Sequence, residues 1–187
     1  MDNVNEMDTL LELVNIPPRD QINGGKRSCP TGMLIKRYGP PRQRLTDDCE
    51  KVTAPFWKSR MVTKSVGPFR ASGHRLAVAL LTVSLAKVKL RHPELYKDLG
   101  SAGMLCCRRV RGSTALSNHG LGLAIDFNFR GRLDSRGDGK CQRAMLLLYS
   151  VMKEDGWYWG AEFPTEDSMH FEVSAEKVQE WIDAGIF

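Results

Sequence analysis

The sequence predicts an α+β fold, in which helices pack on one face of a small, mostly antiparallel sheet. Two short segments, 123–128 and 170–173, alternate apolar and polar residues with the period of a half-buried strand. Two longer segments, 73–91 and 143–155, repeat apolar residues at the spacing of an amphipathic helix. A chain of 187 residues is long enough to bury one core that these strands and helices share.

The chain is predicted to divide into an N-terminal extension, residues 1–50, and a main domain, residues 51–187. A short helix is expected over 8–14, because its leucines and a valine form an apolar stripe that two prolines end. Residues 19–43 are rich in glycine, proline and basic side chains, which is typical of extended or loosely ordered chain. Such an extension can wrap the main domain or dock onto a partner, and the sequence leaves both open.

The main domain begins with short apolar pieces over 55–69, which are compatible with one or two strands. Ser72 is expected to cap the helix over 73–91. An apolar strand is expected just before the arginines of segment 108–111. A last helix is expected over 175–184, with a serine before it and a glycine after it.

The five cysteines are not expected to form a complete disulfide framework, because their number is odd. They also lack the C-x2-C spacing of a structural zinc site. We expect mainly structural free thiols, and a bridge between Cys29 and Cys49 in the extension is left open. Cys106 and Cys107 are adjacent, so on a strand they would face opposite ways.

The net charge of +5 and the pI of about 9.0 are modest. They are typical of a soluble globule, and they also favour contact with an anionic polymer such as cell wall, lipopolysaccharide or nucleic acid. Nucleic acid is the weaker choice, because no basic run is interleaved with aromatic residues. No apolar run approaches the ~20 residues of a membrane span, and the N-terminus lacks the basic and apolar regions of a secretory signal.

Two histidines and an aspartate are expected to converge on one side of the two strands. Asp126 lies on the polar face of the first strand and His170 opens the second, so adjacent strands with a shared apolar face would bring them together. His119 precedes the first strand in a glycine-containing loop and can complete the cluster. Two imidazoles and a carboxylate suit one Zn²⁺ ion, and catalytic zinc sites leave the fourth position to water, whose pKa falls to about 7.

A water activated in this way also needs a base, and Asp167 is the candidate. It precedes His170 by three residues and can lie at the mouth of the strand without binding the metal. Glu172 shares the metal face of the same strand. It either holds an imidazole in one tautomer or is a surface carboxylate, and the sequence leaves both open.

These residues carry a resemblance to a known family. The pattern S-N-H-G-x-G-x-A-I-D followed by D-x-M-H-F-E, within residues 66–173, resembles the zinc peptidases of bacterial cell-wall peptides. That family holds VanY-like D-alanyl-D-alanine carboxypeptidases and the L-alanyl-D-glutamate endopeptidases of phage endolysins, and the resemblance implies a fold of the DD-peptidase and Hedgehog type. The family's H-x6-D, its distant H and the acid three residues earlier correspond to His119, Asp126, His170 and Asp167. This pattern favours Asp167 over Glu166 as the base.

The resemblance also implies substrate-binding residues. In the family, an arginine at the end of the strand before the metal loop binds substrate; Arg108 matches that position best and Arg111 is the runner-up. A guanidinium can stabilise an oxyanion or bind a substrate carboxylate. Ser117 either caps a turn or hydrogen-bonds the substrate. In relatives, the W-G pair before the acid borders the cleft, so Trp159 is expected to form a wall.

The function that the resemblance implies is zinc-dependent hydrolysis of peptidoglycan stem peptides, with the L-alanyl-D-glutamate bond favoured. A D-alanyl-D-alanine carboxypeptidase is the first alternative, a non-catalytic metal-binding cell-wall module the second, and a basic nucleic-acid binder the third. Such an enzyme acts in the periplasm or cell wall, and without a visible signal it would be exported by a lysis pore, a secretion system or a phage particle. We expect a monomer whose partners are the stem peptide and a delivery or immunity protein.

Overall fold

The computed structural model describes residues 6–187 and confirms the α+β class. The helices are α1 (Glu6–Leu11), α2 (Thr31–Tyr38), α3 (Pro55–Lys58), α4 (Arg75–Arg91), α5 (Pro93–Lys97), α6 (Arg143–Met152) and α7 (Ala175–Asp183). The strands are β1 (Leu13–Asn15), β2 (Met61–Ser65), β3 (Arg70–His74), β4 (Leu99–Gly103), β5 (Ala124–Phe129), β6 (Lys140–Gln142), β7 (Trp157–Trp159) and β8 (His170–Val173). None of the helices described has the length and apolar character needed to cross a bilayer.

The largest sheet has the strand order β4-β5-β8-β7, and each neighbouring pair in it is antiparallel. Along the second half of β5 burial alternates, with Phe127 and Phe129 buried and Asp126 and Asn128 partly exposed. Asp126 lies directly opposite His170 on β8. Directly opposite residues of an antiparallel pair leave the sheet on the same face, so these two side chains are brought together.

One hydrophobic core joins the apolar face of this sheet to α4 and α6. Its largest fully buried side chains include Trp57, Trp157, Trp159, Phe127, Phe129 and Phe171. Helix α4 contributes Leu81, Leu85 and Val88, and α6 contributes Met145 and Leu148. The two helices predicted from apolar periodicity are thus present, and both pack on the core. Val83, which the apolar pattern places on the buried face of α4, is exposed.

Helix α4 begins two residues later than the sequence predicts. Residues Arg70–His74 form β3, which pairs with β2, and His74 rather than Ser72 precedes the helix. Ser72 instead shares a hydrogen bond with Thr63 on β2, the two hydroxyl oxygens being 2.7 Å apart. Pairing within the β2–β3 hairpin therefore overrides the capping tendency of this serine.

The described part of the N-terminal extension packs on the main domain. The helix predicted over 8–14 ends at Leu11, because Leu13–Asn15 form β1 and pair with Lys140–Gln142. Farther along, the buried Asn23 accepts a hydrogen bond from the Trp159 N–H (2.8 Å), and its amide donates to the Trp159 carbonyl (3.0 Å). These contacts favour the wrapping alternative over a free docking arm.

Cys49 forms a disulfide with Cys106, which corrects the pairing left open for Cys29. The chain segments meet because Glu50 and Cys107 form an isolated antiparallel bridge, and this holds the two bonded cysteines with their Cα atoms 5.0 Å apart. Cys29 lies elsewhere as a buried free thiol, as do the two remaining cysteines. The expectation of mainly free thiols is therefore correct for three of the five.

Candidate metal centre

His119 is positioned by a tight turn before β5. A 3-10 turn, Asn118–Leu121, carries it, and the Ser117 hydroxyl caps this turn by accepting a hydrogen bond from the His119 N–H (3.4 Å). Gly122 follows the turn at φ 63, and a Cβ there would lie 2.5 Å from the backbone nitrogen of His74. Glycine is the residue that meets both the backbone angle and this close approach.

Three ligand atoms converge where β5 and β8 meet this turn. His170 Nδ1 lies 3.0 Å from Asp126 Oδ1, and His119 Nε2 lies 3.2 Å from the same oxygen. The two histidine nitrogens are 3.1 Å apart. In a tetrahedral zinc site with bonds of about 2.0–2.1 Å, neighbouring ligand atoms lie about 3.3 Å apart. The predicted cluster therefore has nearly the dimensions of three zinc ligands, and its side chains could hold a metal ion.

Each imidazole has one nitrogen committed elsewhere, which leaves the other for a metal. His119 Nδ1 lies 3.0 Å from the Met104 carbonyl oxygen, to which it can only donate. His170 Nε2 lies 2.9 Å from Glu172 Oε2 and donates to that carboxylate. In the neutral rings that a metal requires, the remaining nitrogens direct lone pairs at each other and at Asp126. A cation satisfies three acceptor atoms at these distances.

The electrostatics of the cluster also favour a positive charge. Burial lowers the pKa of His170, but hydrogen bonds to Asp126 and Glu172 outweigh burial and raise the pKa to about 10. Burial raises the pKa of Asp126, but hydrogen bonds from both histidines reverse this and hold the pKa well below its usual range. A bound metal ion would take the place of the proton that the site retains.

Asp167 lies in the turn that leads into β8. Its N–H donates to the Gly160 carbonyl (3.0 Å) and its carbonyl accepts from the His170 N–H (3.1 Å), which fixes the turn. Its buried Oδ1 has no hydrogen-bond partner in the part of the chain that the structure describes, and its Oδ2 lies 3.9 Å from Arg136 Nε. Burial raises the pKa of Asp167, although His170 lowers it. A desolvated, unpaired carboxylate oxygen is suited to accept a proton.

A cleft of about 510 Å³ opens over the three ligands. Arg108, Arg111 and Ser117 line it, so the structure brings these predicted residues to the same cleft as Asp167. Arg108 Nη1 donates to the Arg109 carbonyl at 3.0 Å. A guanidinium carries five N–H groups, so others remain for a substrate.

The structure does not bring Trp159 to the cleft. Its ring is fully buried, stacks 4.8 Å from the ring of Tyr149, and donates from Nε1 to the Ser168 carbonyl at 2.7 Å. The expected wall is wrong at this residue because β7 turns the side chain into the core. Phe163 lines the cleft instead, with its ring 5.5 Å from that of His170.

Arg136 is a cleft residue that the sequence does not predict. It lies in segment 134–139, which the sequence predicts only as a hairpin or connecting turn. The Gly139 N–H donates to Glu166 Oε1 (2.7 Å), and the Gly137 N–H donates to the Glu166 carbonyl (3.2 Å). These bonds hold the segment beside Asp167. The local sequence contains no signal for a contact that depends on the fold.

A family model described as D-alanyl-D-alanine carboxypeptidase matches residues 111–173, about a third of the chain. The matched segment contains the three ligands and Asp167 but neither Arg108 nor the N-terminal extension. Comparisons with the curated proteins and with the solved structures gave no match. Together with the geometry, the family match supports a metallopeptidase that acts on cell-wall peptides, with a donor set that suits zinc.

Proposed function

We propose that the protein is a zinc-dependent endopeptidase that hydrolyses the L-alanyl-D-glutamate bond of peptidoglycan stem peptides. The observation that carries this proposal is the triangle of ligand atoms, with sides of 3.0–3.2 Å, in a cleft that Asp167 also lines. The choice of bond rests on the resemblance to a family that includes the endopeptidases of phage endolysins, although the motif itself is shared with the carboxypeptidases.

The residues of the cleft would have separate roles in hydrolysis. When bound, a zinc ion polarises the scissile carbonyl and makes water acidic enough to attack at neutral pH. Asp167 would take the proton from the attacking water and deliver it to the leaving amine. Glu172 would keep His170 oriented by accepting its Nε2 proton.

The arginines would bind the charged parts of the substrate. Arg108 would stabilise the negative charge that develops on the attacked carbonyl oxygen. Arg111 and Arg136 would hold the carboxylates of the stem peptide through forked hydrogen bonds. Ser117 uses its oxygen to cap the turn, so its hydroxyl hydrogen remains for a substrate carbonyl.

A D-alanyl-D-alanine carboxypeptidase is the second candidate, and the description of the matching family model favours it. A carboxypeptidase binds the terminal carboxylate of its substrate, and one of the cleft arginines would have that task. The two candidates share the metal centre and the base, and they differ in the products that they release.

Digestion of purified sacculi, with and without a chelator, tests the proposal. Mass spectrometry of the fragments should show stem peptides with a new amino-terminal D-glutamate, and the chelator should abolish them. Removal of D-alanine alone would support the carboxypeptidase. An absence of any cleavage by zinc-loaded protein would contradict both and leave the non-catalytic module.

We also propose that the protein acts as a monomer outside the cytoplasm, where peptidoglycan lies. The Cys49–Cys106 disulfide supports an oxidising compartment. Delivery by a lysis pore, a secretion system or a phage particle would bring it there. Bacteria that make the protein in the cytosol should therefore grow normally, whereas fusion to an export signal should lyse them. Lysis without any export route would contradict this proposal.

A further inference from the structure

Glu172 is a buried carboxylate that accepts four hydrogen bonds. Its residue is 1% exposed. Oε2 accepts from His170 Nε2 (2.9 Å) and from the Asn118 amide (2.5 Å). Oε1 accepts from the Ser28 hydroxyl and from the Cys29 N–H, the latter at 2.8 Å. Full satisfaction of this kind offsets the cost of burying a carboxylate.

Two of these four donors come from the N-terminal extension, which lies outside the segment matched by the family model. The same stretch is fixed to the start of α7 by its neighbour Arg27, whose carbonyl accepts from the Ala175 N–H (2.9 Å). Arg27 Nε also lies 3.0 Å from Glu176 Oε1. Residues 27–29 are therefore anchored to the start of α7, next to the contact with Glu172.

The hydrogen-bond arrangement determines which nitrogen of His170 faces the metal. An ionised carboxylate only accepts, so Glu172 requires the proton of His170 to be on Nε2. The lone pair of Nδ1 then points to Asp126 and His119. The donors on Oε1 help the Asn118 amide to hold the carboxylate in the rotamer that presents Oε2 to His170, and their loss leaves a buried oxygen without a partner.

We propose that Ser28 is a positioning residue for the metal centre, which acts through Glu172 to hold His170 as an Nδ1 ligand. The N-terminal extension thereby completes the zinc site. This inference rests on the proposed metal binding of the cluster, and it does not depend on which peptide bond is cleaved.

A threonine and a valine at position 28 provide the sharpest test, because they have nearly the same shape and differ in the hydroxyl. Ser28 lies on the exposed lining of the cleft, so water could replace a missing side chain in an alanine variant, whereas valine excludes it. We expect Ser28→Val to weaken zinc binding roughly 10- to 100-fold, and Ser28→Thr to retain it. Competition with a chromophoric chelator measures this in the absence of substrate.

Two controls separate positioning from general destabilisation. Ser72→Val removes a serine hydrogen bond on the β2–β3 hairpin and should leave zinc affinity unchanged. If Ser28 acts through Glu172, Ser28→Val should have little further effect in a Glu172→Gln background. The Co²⁺ absorption spectrum should change in Ser28→Val and remain as in the unmodified protein in Ser28→Thr.

Equal zinc affinity in Ser28→Val and Ser28→Thr would overturn this inference and leave the proposed function intact. Additive losses in the double variant would also overturn it, because Ser28 would then act by another route. Failure of the unmodified protein to bind zinc would overturn both proposals, so the two failures are distinguishable.

Discussion

Asp126 and His170 lie opposite each other on β5 and β8, with Asp126 Oδ1 3.0 Å from His170 Nδ1. Backbone pairing in the centre of a sheet fixes this separation, so two ligands are held in place before a metal arrives. His119 joins them from a turn that is capped by Ser117 and closed by Gly122. Preorganisation of this kind lowers the cost of building a metal site.

Replacement of Asp167 by asparagine should separate metal binding from catalysis. The variant should retain zinc but lose roughly 10²- to 10⁴-fold in turnover, because the amide cannot accept the proton of water. Release of stem-peptide fragments and zinc content measure the two effects. Glu166→Gln is the matched control, since Glu166 serves as a hydrogen-bond acceptor for Gly139 and glutamine keeps an acceptor oxygen. Full turnover by Asp167→Asn would remove Asp167 from the role of base.

Replacement of Arg136 by glutamine should change substrate preference. Arg136 lines the cleft with its Nε 3.9 Å from Asp167 Oδ2, and it is expected to bind a substrate carboxylate. We expect kcat/KM to fall about 10-fold for stem peptides with free carboxylates, and to change little when those groups are amidated. Arg109→Gln is a suitable control, because Arg109 lies near Asp47 and does not line the cleft. An equal loss on both peptides would contradict a specificity role.

His74 should make the fold less stable as the solution becomes acidic. Neither of its ring nitrogens has a hydrogen-bond partner in the described chain. Burial, with Arg75 and Arg60 nearby, lowers its pKa from 6.5 to about 3. Between these values the unfolded chain binds a proton that the folded protein does not, so stability is present above pH 6.5 and falls as the pH falls toward 3.

The expected loss from this histidine is about 2 kcal/mol in the free energy of unfolding between pH 7 and pH 5. Denaturant unfolding of the metal-free protein measures it, and His74→Phe should remove this part of the pH dependence. The comparison isolates His74 because other titrating groups are common to both proteins. If the free energy of unfolding depended on pH identically in both proteins, protonation of His74 would not destabilise the fold.

Reduction of the Cys49–Cys106 disulfide should lower stability by roughly 2–4 kcal/mol, because the bond closes a loop that joins the extension to the main domain. Thermal melts with and without a thiol reductant measure the effect. Cys49→Ser should melt like the reduced protein and should no longer respond to reductant. Cys29→Ala should still respond, since Cys29 is a free thiol. If the melt of Cys29→Ala did not change with reductant, the disulfide would instead join Cys29 and Cys49.

The sequence predicts those residues of the site whose positions depend on local periodicity. Alternation along β5 and β8 places Asp126 and His170 on polar positions, and pairing of the two strands then brings them together. The turn with His119 and the acid at Asp167 follow from short-range spacing in the same way. Both helices predicted from apolar periodicity, α4 and α6, are also present.

The features that the sequence does not predict depend on contacts between distant segments. Trp159 and Phe163 are both near the turn before β8, and only the packed structure decides which one lines the cleft. Ser28 reaches Glu172 across most of the chain, and neither residue carries a local signal for the other. Serine is a residue type that commonly caps helices, but Ser72 lies in β3 because β3 pairs with β2.

The central claim is that His119, Asp126 and His170 bind one zinc ion at an accessible site. X-ray absorption spectroscopy of the zinc-loaded protein, with metal content by mass spectrometry, tests it most directly. The account predicts one zinc per chain with two imidazole ligands and oxygen in the remaining positions, and loss of that zinc in His170→Ala. No stoichiometric zinc, or a zinc whose spectrum is unchanged by His170→Ala, would contradict it.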